Sequence, residues 1–404
     1  MRAKANHWPT KALGKISKIQ SGGTPDRKNR SYWSNGDIPW VTTAEVKFRT
    51  IIGTAEKITS AGLANSSAKV FPKGAILLAL YGQGKTRGQV ALLGIDAATN
   101  QACAAIQAKP ELDSGYLYEF LKGSYSAIRN LSNTGGQENL SATIISEIQV
   151  PLPPLPEQRK IAEILRTWDL GLEKLEALRA ANLRRRIWMR SHLFTGRSRL
   201  PGFSGEWGEV ALGDVLTEHG LQGTGAEEVF SVSVHKGLIN QIEHLGRSFA
   251  AAETSHYNRV LPGDIVYTKS PTGDFPLGII KQSKISQEVI VSPLYGVFTP
   301  ATRELGVILD SLFESPLAVR NYLHPLVQKG AKNTIAITNR RFLEGRLRLP
   351  MDPAEQAAIA AVVEVSQAEL NAIVSEMDLL TRQKRGLMQK LLTGEWRVKV
   401  EEAA

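Results

Sequence analysis

The most regular pattern of apolar and polar positions lies in two stretches of forty residues, 157–196 and 355–394. In both stretches apolar residues recur at alternating steps of four and three, which is the spacing of a coiled-coil seam. The spacing predicts two long α-helices, each spanning roughly 60 Å, that pack antiparallel against each other. The predicted seam positions share an apolar side chain at this spacing; they are Ile161, Leu165, Trp168, Leu172, Leu175, Ile359, Val363, Leu370, Ile373 and Leu380.

The other two stretches, residues 1–150 and 201–349, contain short apolar runs separated by turn-forming residues. Residues 75–80 form one such run and predict a buried strand. Residues 112–131 show helical periodicity, and their counterpart in the later stretch is 305–326. The pattern therefore predicts mixed α/β domains that share one order of elements.

The chain is duplicated with a period close to 200 residues. A Trp-x4-Leu-Gly motif begins at Trp8 and again at Trp207, 199 residues later. A Glu-Gln pair at 157–158 recurs at 355–356, an offset of 198. A period of this length is too long for a solenoid and predicts two similar globular units, each followed by a similar helix.

Together these patterns predict an α/β fold class: two copies of a mixed α+β globular domain, separated by two long antiparallel coiled-coil helices, with a pseudo-two-fold internal repeat. The predicted segments are a first globular domain at 1–150, a first helix segment at 151–200, a second globular domain at 201–349 and a second helix segment at 350–404.

The charge of the chain favours a polyanionic partner. The formal net charge is +10, and the sequence pI is about 9.5. Residues 1–150 carry 18 Lys and Arg against 10 Asp and Glu, whereas residues 201–349 carry 14 against 15. If both domains bind a polyanion, we expect the first to dominate the salt-dependent part of binding.

Composition restricts the class of protein further. The single cysteine, Cys103, excludes an internal disulfide and a cysteine-based zinc site, and its apolar surroundings predict a buried side chain. No uninterrupted apolar run reaches the length of a membrane-spanning helix, and the first residues do not resemble a signal peptide. We therefore expect a cytoplasmic protein that does not enter a membrane.

Two short motifs suggest chemistry. Residues 81–88 are rich in glycine but lack the full spacing of a phosphate-binding loop, so the turn, with Lys85 and Arg87, is better suited to contacting a nucleic-acid backbone. Asp26, Glu45 and Lys47 match the loose pattern of metal-dependent nucleases, which is short enough to arise by chance. The sequence contains no other catalytic constellation and no metal-ligand spacing, which predicts a non-enzymatic chain without a cofactor or metal of its own.

The assembled motifs resemble the specificity subunit of a Type I restriction–modification system. The opening of the chain, with Ser-Gly-Gly-Thr-Pro at 21–25 and Tyr-Trp at 32–33, is similar to a frequent opening of that family's target recognition domains. The proline–Glu-Gln segment at 153–158 and the Thr-Gly pair at 195–196 resemble its conserved spacer helix. The second spacer departs from the pattern, because Ala354 stands where proline is expected.

The resemblance implies a function carried out with partners. Each globular domain would recognise one half of a bipartite site on double-stranded DNA, and the helices would set the spacing and dock modification (methyltransferase) subunits. S-adenosylmethionine would be bound by those subunits. ATP and Mg would be bound by a restriction subunit, where the cell has one.

We expect base recognition from polar and basic residues of the domain loops. The candidates by position are Lys85, Arg87, Asn100, Gln101, Gln137, Lys269, Lys332 and Asn333. Two other hypotheses stay open: a protein-interaction scaffold that binds no DNA, and a metal-dependent nuclease that uses Asp26, Glu45 and Lys47.

Overall fold

The computed structural model describes residues 8–82, 84–131, 139–245, 254–329 and 335–400. The chain divides into two compact units. Unit 1 comprises Met1–Glu176 and Glu376–Ala404, and unit 2 comprises Ala177–Ser375. The division crosses both long helices, so each unit contains one globular domain, the first half of one helix and the last half of the other.

Unit 1 contains a five-stranded and a four-stranded sheet. The larger sheet has the spatial order Ser17–Ser21, Cys103–Ala108, Ile76–Ala79, Val90–Leu93 and Thr50–Ile51. Its neighbouring strands are antiparallel except for the last pair, which is parallel. The smaller sheet has the order Glu56–Ile58, Ile38–Val41, Ala97–Thr99 and Val70–Phe71. A separate antiparallel pair joins Thr10–Ala12 to Gln149–Pro151.

Short helices connect these strands. The α-helices of the first domain are Leu13–Ile16, Ser60–Ala64, Ser114–Gly123, Tyr125–Arg129 and Ala142–Ser146, and its 3-10 helices are Arg30–Tyr32 and Thr43–Glu45. The longest of them begins after Asp113, whose side chain accepts a hydrogen bond from the Tyr116 backbone N–H at 2.9 Å. Leu117 and Leu121 of this helix are fully buried, so the helix covers one face of the large sheet.

Unit 2 has the same strand order in its central sheet. The order is Leu216–Thr217, Gly296–Pro300, Ile265–Tyr267 and Ile280–Gln282. The remaining strands form the pairs Gly208–Ala211 with Arg346–Leu349, Phe230–Ser233 with Gly237–Asn240, Asn258–Val260 with Val289–Val291, and Gln328–Lys329 with Ile335–Ala336. The helices are Gln241–Leu245, Arg303–Leu312, Pro316–Leu323 and Asn339–Glu344, with 3-10 helices Leu212–Asp214 and His324–Leu326.

The two units also correspond outside the central sheet. In each, the strand that enters the domain pairs with the strand that leaves it, and a helix of ten residues follows the strand at the matching position. A parallel contact between Trp40 and Ala98 in unit 1 has its counterpart between Val229 and Ile290 in unit 2. The prediction of mixed α/β domains is confirmed.

The long helices are Leu155–His192 and Pro353–Leu392. Each helix begins two residues before the predicted stretch and ends before the Thr-Gly pair that closes that stretch. Pro156 and Pro353 lie in the first turns of these helices, where proline is tolerated because its missing N–H has no partner to lose. Gly196 follows the first helix with a φ of 70°, the left-handed conformation expected after a helix end.

Within each unit the two helix segments run antiparallel. In unit 1, Asp169 contacts Lys384, whereas Glu157, near the start of the first helix, contacts Arg397, beyond the end of the second. In unit 2, Arg186 contacts Gln367 and Arg199 contacts Glu355. As the residue number increases along the first helix, the number of its partner on the second helix decreases.

The predicted seam is most deeply buried where it meets the domains. Ile161 and Leu165 belong to the core of unit 1, together with Leu391 and Leu392, and Ile359 belongs to the core of unit 2. The next positions are less buried: Ile373 is 8% exposed, and Trp168, Leu172, Leu175, Val363, Leu370 and Leu380 are half-buried. The helix starts therefore contribute to the domain cores as well as to helix pairing.

One stretch of the second long helix is long and apolar enough to meet the criterion of a membrane span. In the structure, 22% of that stretch is buried. It lacks the uninterrupted apolar run that the sequence interpretation sought, because polar residues such as Glu364 and Glu369 interrupt it. Glu364 and Glu369 of the same helix are ion-paired with Arg303 and Arg185 of unit 2. Charged groups are costly inside a bilayer, so these pairs favour a packing role for the helix.

Candidate nucleic-acid interface

Three loops of unit 1 meet at one end of the five-stranded sheet. The strands alternate in direction, so the loops after Ser21, after Ala79 and before Cys103 emerge at the same end. Backbone hydrogen bonds join them: the Gly23 N–H donates to the Thr99 carbonyl at 2.8 Å, and the Leu80 N–H donates to the Ala102 carbonyl at 2.8 Å. Four of the candidate residues, Lys85, Arg87, Asn100 and Gln101, lie in these loops.

The glycine-rich loop at 81–88 is held in place from a neighbouring helix. The Tyr125 hydroxyl donates to the Lys85 carbonyl at 2.5 Å, and the Arg129 guanidinium donates to the Gly84 carbonyl at 2.5 Å. Gly84 has a φ of 68°, which favours glycine at this point of the turn. The backbone at Gly84 and Lys85 is thus fixed, while the Lys85 side chain is exposed.

Arg87 differs from Lys85, because its residue is only 7% exposed. The sequence interpretation placed both basic groups on the loop surface. Arg87 is buried where the turn returns to the strand Val90–Leu93, which the glycine pattern does not reveal. In this conformation Lys85 is therefore the accessible cation of the pair.

The turn before Cys103 carries two amide side chains with different roles. Asn100 shapes the turn, since its Oδ1 accepts the Ala102 N–H at 3.2 Å. Gln101 is exposed, and its Oε1 accepts the Thr24 hydroxyl at 2.5 Å. Gln101 therefore joins two of the loops and is accessible at their junction.

The Ser-Gly-Gly-Thr-Pro motif packs directly against the sheet. A side chain at Gly22 would place its Cβ 2.0 Å from the Thr99 carbonyl oxygen, and one at Gly23 would lie 2.3 Å from the Ser67 hydroxyl. The indole N–H of Trp40 donates to the Gly23 carbonyl at 3.0 Å. The two glycines are required for this close approach, which fixes the loop that follows.

Arg27, in that loop, is a candidate that the sequence interpretation missed. Its guanidinium lies 3.9 Å from the ring centre of Trp33 and 4.7 Å from that of Trp40. It forms an ion pair with Glu56, on an edge strand of the smaller sheet. The signal available in the sequence was the pair of tryptophans downstream of a basic loop, but nothing in their spacing indicates a shared cation.

The matching end of the unit 2 sheet is less basic. The Lys269 side chain is exposed there, but part of its ammonium is desolvated. This desolvation lowers the pKa of the ammonium, and the nearby carboxylate of Glu218 opposes the shift. Glu218 also accepts a hydrogen bond from the Asn339 side chain at 2.5 Å. The candidates Gln137, Lys332 and Asn333 lie outside the described residues, so their roles stay predictions.

The nuclease pattern is explained by structural roles. Glu45 accepts backbone N–H groups from Thr42 at 2.9 Å and from Ala55 at 3.0 Å, and Asp26 accepts that of Lys28 at 2.9 Å. In the described ranges no group of three or more His, Cys, Asp or Glu residues is arranged to hold a metal ion. Asp26 and Glu45 thus stabilise loop conformations by accepting these backbone hydrogen bonds.

Cys103 is fully buried, as predicted. Burial raises the pKa of its thiol to about 12, with a smaller contribution from the charge of Glu45 and an opposing hydrogen bond with Thr99. Since the thiolate is the nucleophilic form, the residue is a packing group.

The duplicated motifs converge in unit 1 on one cluster. Glu157 forms a bidentate ion pair with Arg397 at 2.6 and 2.7 Å, and the guanidinium of Arg397 lies 5.2 Å from the ring centre of Trp8. A side chain at Gly394 would lie 3.2 Å from the same indole ring. The opening tryptophan, the Glu-Gln pair and the Thr-Gly pair therefore meet at one point.

Unit 2 contains the equivalent cluster. Glu355 pairs with Arg199 at 2.5 Å and accepts the indole N–H of Trp207 at 3.1 Å, and a side chain at Gly196 would lie 3.1 Å from that ring. The motifs that carry the family resemblance thus hold each domain to the ends of both helices.

The chain is similar in sequence to known specificity proteins. Residues 6–182 match the family model described as the Type I restriction modification DNA specificity domain. The Type I restriction enzyme MjaIX specificity subunit of Methanocaldococcus jannaschii is 31% identical over 167 residues, 40% of this chain and 38% of that protein. A Type I restriction enzyme specificity subunit of Escherichia coli is 30% identical over 165 residues, 39% of this chain and 40% of that protein. Residues 6–182 are therefore similar to the DNA specificity domain of Type I restriction–modification systems. The matched stretches cover 38% and 40% of the lengths of these two relatives.

The fold of the chain resembles solved structures over 97% of its length. The S subunit of the Type I restriction–modification system from M. genitalium is similar over 97% of this chain and 98% of that chain, with a TM-score of 0.61 and 16% identity. A structure concerned with complex assembly and conformational transition of the type I R-M system is similar over 97% and 99%, with a TM-score of 0.54 and 15% identity. At these identities the likeness concerns the fold.

Proposed function

We propose that this chain is the sequence-specific DNA-binding subunit of a Type I restriction–modification complex, in which each unit recognises one half of a bipartite site. The observation that carries the proposal is the meeting of three loops at one end of the unit 1 sheet, within the residues that match the DNA specificity domain. The matching strand order of unit 2 supports a second recognition domain.

The exposed side chains at this sheet end suit DNA in complementary ways. Lys85 supplies a cation on a fixed backbone, which favours a phosphate contact. Gln101 supplies a side-chain amide, the group that pairs with the major-groove edge of adenine. The balance of +8 in residues 1–150 against −1 in residues 201–349 gives unit 1 the larger electrostatic share of binding.

The long helices have the proposed role of spacing the two recognition domains as a coiled coil with pseudo-two-fold symmetry and of docking modification subunits. Leu178, Leu183, Ile187 and Trp188 of the first helix are exposed apolar residues, and they support a protein partner. In this proposal the chain itself is not an enzyme and acts in the cytoplasm. S-adenosylmethionine is used by the modification subunits, and ATP and Mg by a restriction subunit.

The proposal is tested by measuring binding of duplex DNA at about 50 mM and about 200 mM salt, with and without the modification subunit. We expect affinity to fall steeply with salt, and Lys85→Ala to weaken binding to all sequences and reduce the salt slope by about one. Lys73→Ala is the matched control, because Lys73 precedes the strand Ile76–Ala79 and so lies at the opposite end of the same sheet.

Two outcomes would favour other functions. A chain that binds the modification subunit but no duplex at either salt concentration is a scaffold. Mg-dependent nicking by the pure chain that Asp26→Ala abolishes would support the nuclease hypothesis.

A further inference from the structure

Arg27 and Glu56 form a planar charged pair at the edge of the candidate interface. One guanidinium nitrogen contacts one carboxylate oxygen closely, and the second nitrogen lies 3.4 Å from the other oxygen, so the pair is bidentate. The side chains are 49% and 39% exposed. The pair is thus fixed on one side and open to solvent on the other.

The fixed side is an aromatic wall. Trp33 and Trp40 meet edge to face with ring centres 5.1 Å apart, and Arg27 lies over both rings. The indole N–H of Trp33 donates to the Asp26 carbonyl at 3.0 Å, the residue before Arg27. Stacking and this hydrogen bond together restrict the orientation of the guanidinium plane. A free surface arginine lacks this restriction.

The position of the pair connects it to the candidate interface. Thr24, three residues before Arg27, donates to Gln101, and Gly23 is hydrogen-bonded to Thr99. Arg27 therefore lies on the same group of loops as Lys85 and Gln101. The aromatic wall is a feature of unit 1, because unit 2 has no tryptophan in its domain strands or the loops between them.

We propose that Arg27 and Glu56 together recognise one G·C base pair in the half-site bound by unit 1. This rests on the proposed DNA-binding function. Arginine donates bidentately to O6 and N7 of guanine in the major groove, and glutamate accepts from the N4 amino group of cytosine. Rotation of the open fork away from Glu56 toward guanine frees the carboxylate for the cytosine amino group.

The ion pair also explains why a base edge, rather than a phosphate, is the expected target. A phosphate is present at every position of any duplex, and Glu56 repels it while competing for the same guanidinium nitrogens. A G·C pair supplies acceptors for Arg27 and a donor for Glu56 at once. Glu56 therefore penalises contacts that carry no sequence information.

The test measures binding of the full chain, with its modification subunit, to duplexes in which each position of the recognised site is varied in turn. The site is first obtained by mapping methylated adenines in host DNA. For Arg27→Ala and Arg27→Lys we expect loss of about 5- to 150-fold in affinity for the native site. We also expect discrimination at a single G·C position to disappear while every other position keeps its preference. Lysine keeps a cation over the rings but lacks the bidentate fork, so it controls for folding and for charge.

Glu56→Gln is expected to raise affinity for random duplex several-fold and to relax the same position. Lys28→Ala is the matched control, since Lys28 is the exposed neighbour of Arg27 and its loss should weaken all sequences alike. A uniform loss for Arg27→Ala across all positions would assign Arg27 to a phosphate and overturn the proposal. A wild-type chain that shows no sequence preference would instead refute the proposed function.

Discussion

At the scale of single residues, the two glutamines of the repeated Glu-Gln motif explain why that motif recurs. Gln158 is fully buried; it donates to the Pro153 carbonyl at 2.8 Å and accepts the Asp113 N–H at 2.8 Å. Gln356 donates to the Pro350 carbonyl at 2.8 Å and accepts the Thr302 hydroxyl at 2.9 Å. In both units the amide joins the helix start to the cap of the ten-residue domain helix.

Gln158→Ala is expected to lower the free energy of unfolding by about 3 kcal/mol, because the buried backbone carbonyl of Pro153 and the part-buried backbone groups of Asp113 and Glu111 lose their partner. Urea unfolding measures the change. Lys160→Ala, on the same helix, removes only an exposed pair with Glu163 and should shift stability by less than about 0.5 kcal/mol. Equal effects of the two substitutions would show that Gln158 is not a structural bridge.

At the scale of elements, the polar residues that interrupt the apolar seam of the long helices have definite partners. Lys384 of the second helix contacts Glu119 at 3.1 Å and Asp169 at 2.5 Å, and its side chain is only 5% exposed. Arg186, at the matching position of the first helix, contacts Glu314 at 2.8 Å. Burial raises the pKa of Glu119, and the charges of Lys122 and Lys384 oppose that shift. Each long helix is thus fixed to its domain by an ion pair as well as by apolar contacts, and the pair of Lys384 with Glu119 is the more buried.

Lys384→Met should destabilise unit 1 by about 3 kcal/mol, because it removes the cation that donates a hydrogen bond to the buried carboxylate of Glu119. Adding Glu119→Gln should restore much of that loss, since no unpaired charge then remains. Both changes are measured by urea unfolding. Arg382→Ala, two residues away, breaks only an exposed pair with Asp378 and is the control. An unchanged stability for Lys384→Met would mean that the charge cluster orients the helix without stabilising unit 1.

The limits of sequence interpretation are visible at this same scale. The period of the apolar residues predicted both long helices to within a few residues at each end, because periodicity is a local property. The buried strand predicted within residues 75–80 is present as Ile76–Ala79. What could not be predicted was which polar residues meet: Lys384 and Glu119 lie 265 positions apart, and Arg27 meets Trp33 and Glu56 only after the loops fold. Such pairs depend on tertiary contacts that one sequence does not reveal.

At the scale of the whole molecule, the two units repeat the strand order and the motif clusters but differ at the candidate interface. Unit 1 carries Lys85 and the aromatic wall beside Arg27, whereas unit 2 carries Lys269 beside Glu218. Under the proposed function, a shared framework with different loops suits two unlike DNA sequences, because the framework fixes each domain to the helices and leaves the loops to contact bases. The framework and the recognised sequence should therefore be separable by exchange of one domain.

Replacement of residues 1–150 by the corresponding domain of another specificity subunit should change only the half-site bound by unit 1, as read from methylated adenines in host DNA. The structure defines what the incoming domain must supply: a backbone N–H for Gln158 and a carboxylate for Lys384. A donor domain without that carboxylate leaves Lys384 with Asp169 as its carboxylate partner, so the chimera should be less stable than one whose domain supplies the carboxylate. Changes in both half-sites, from a chimera of normal stability, would show that the two units do not recognise DNA independently.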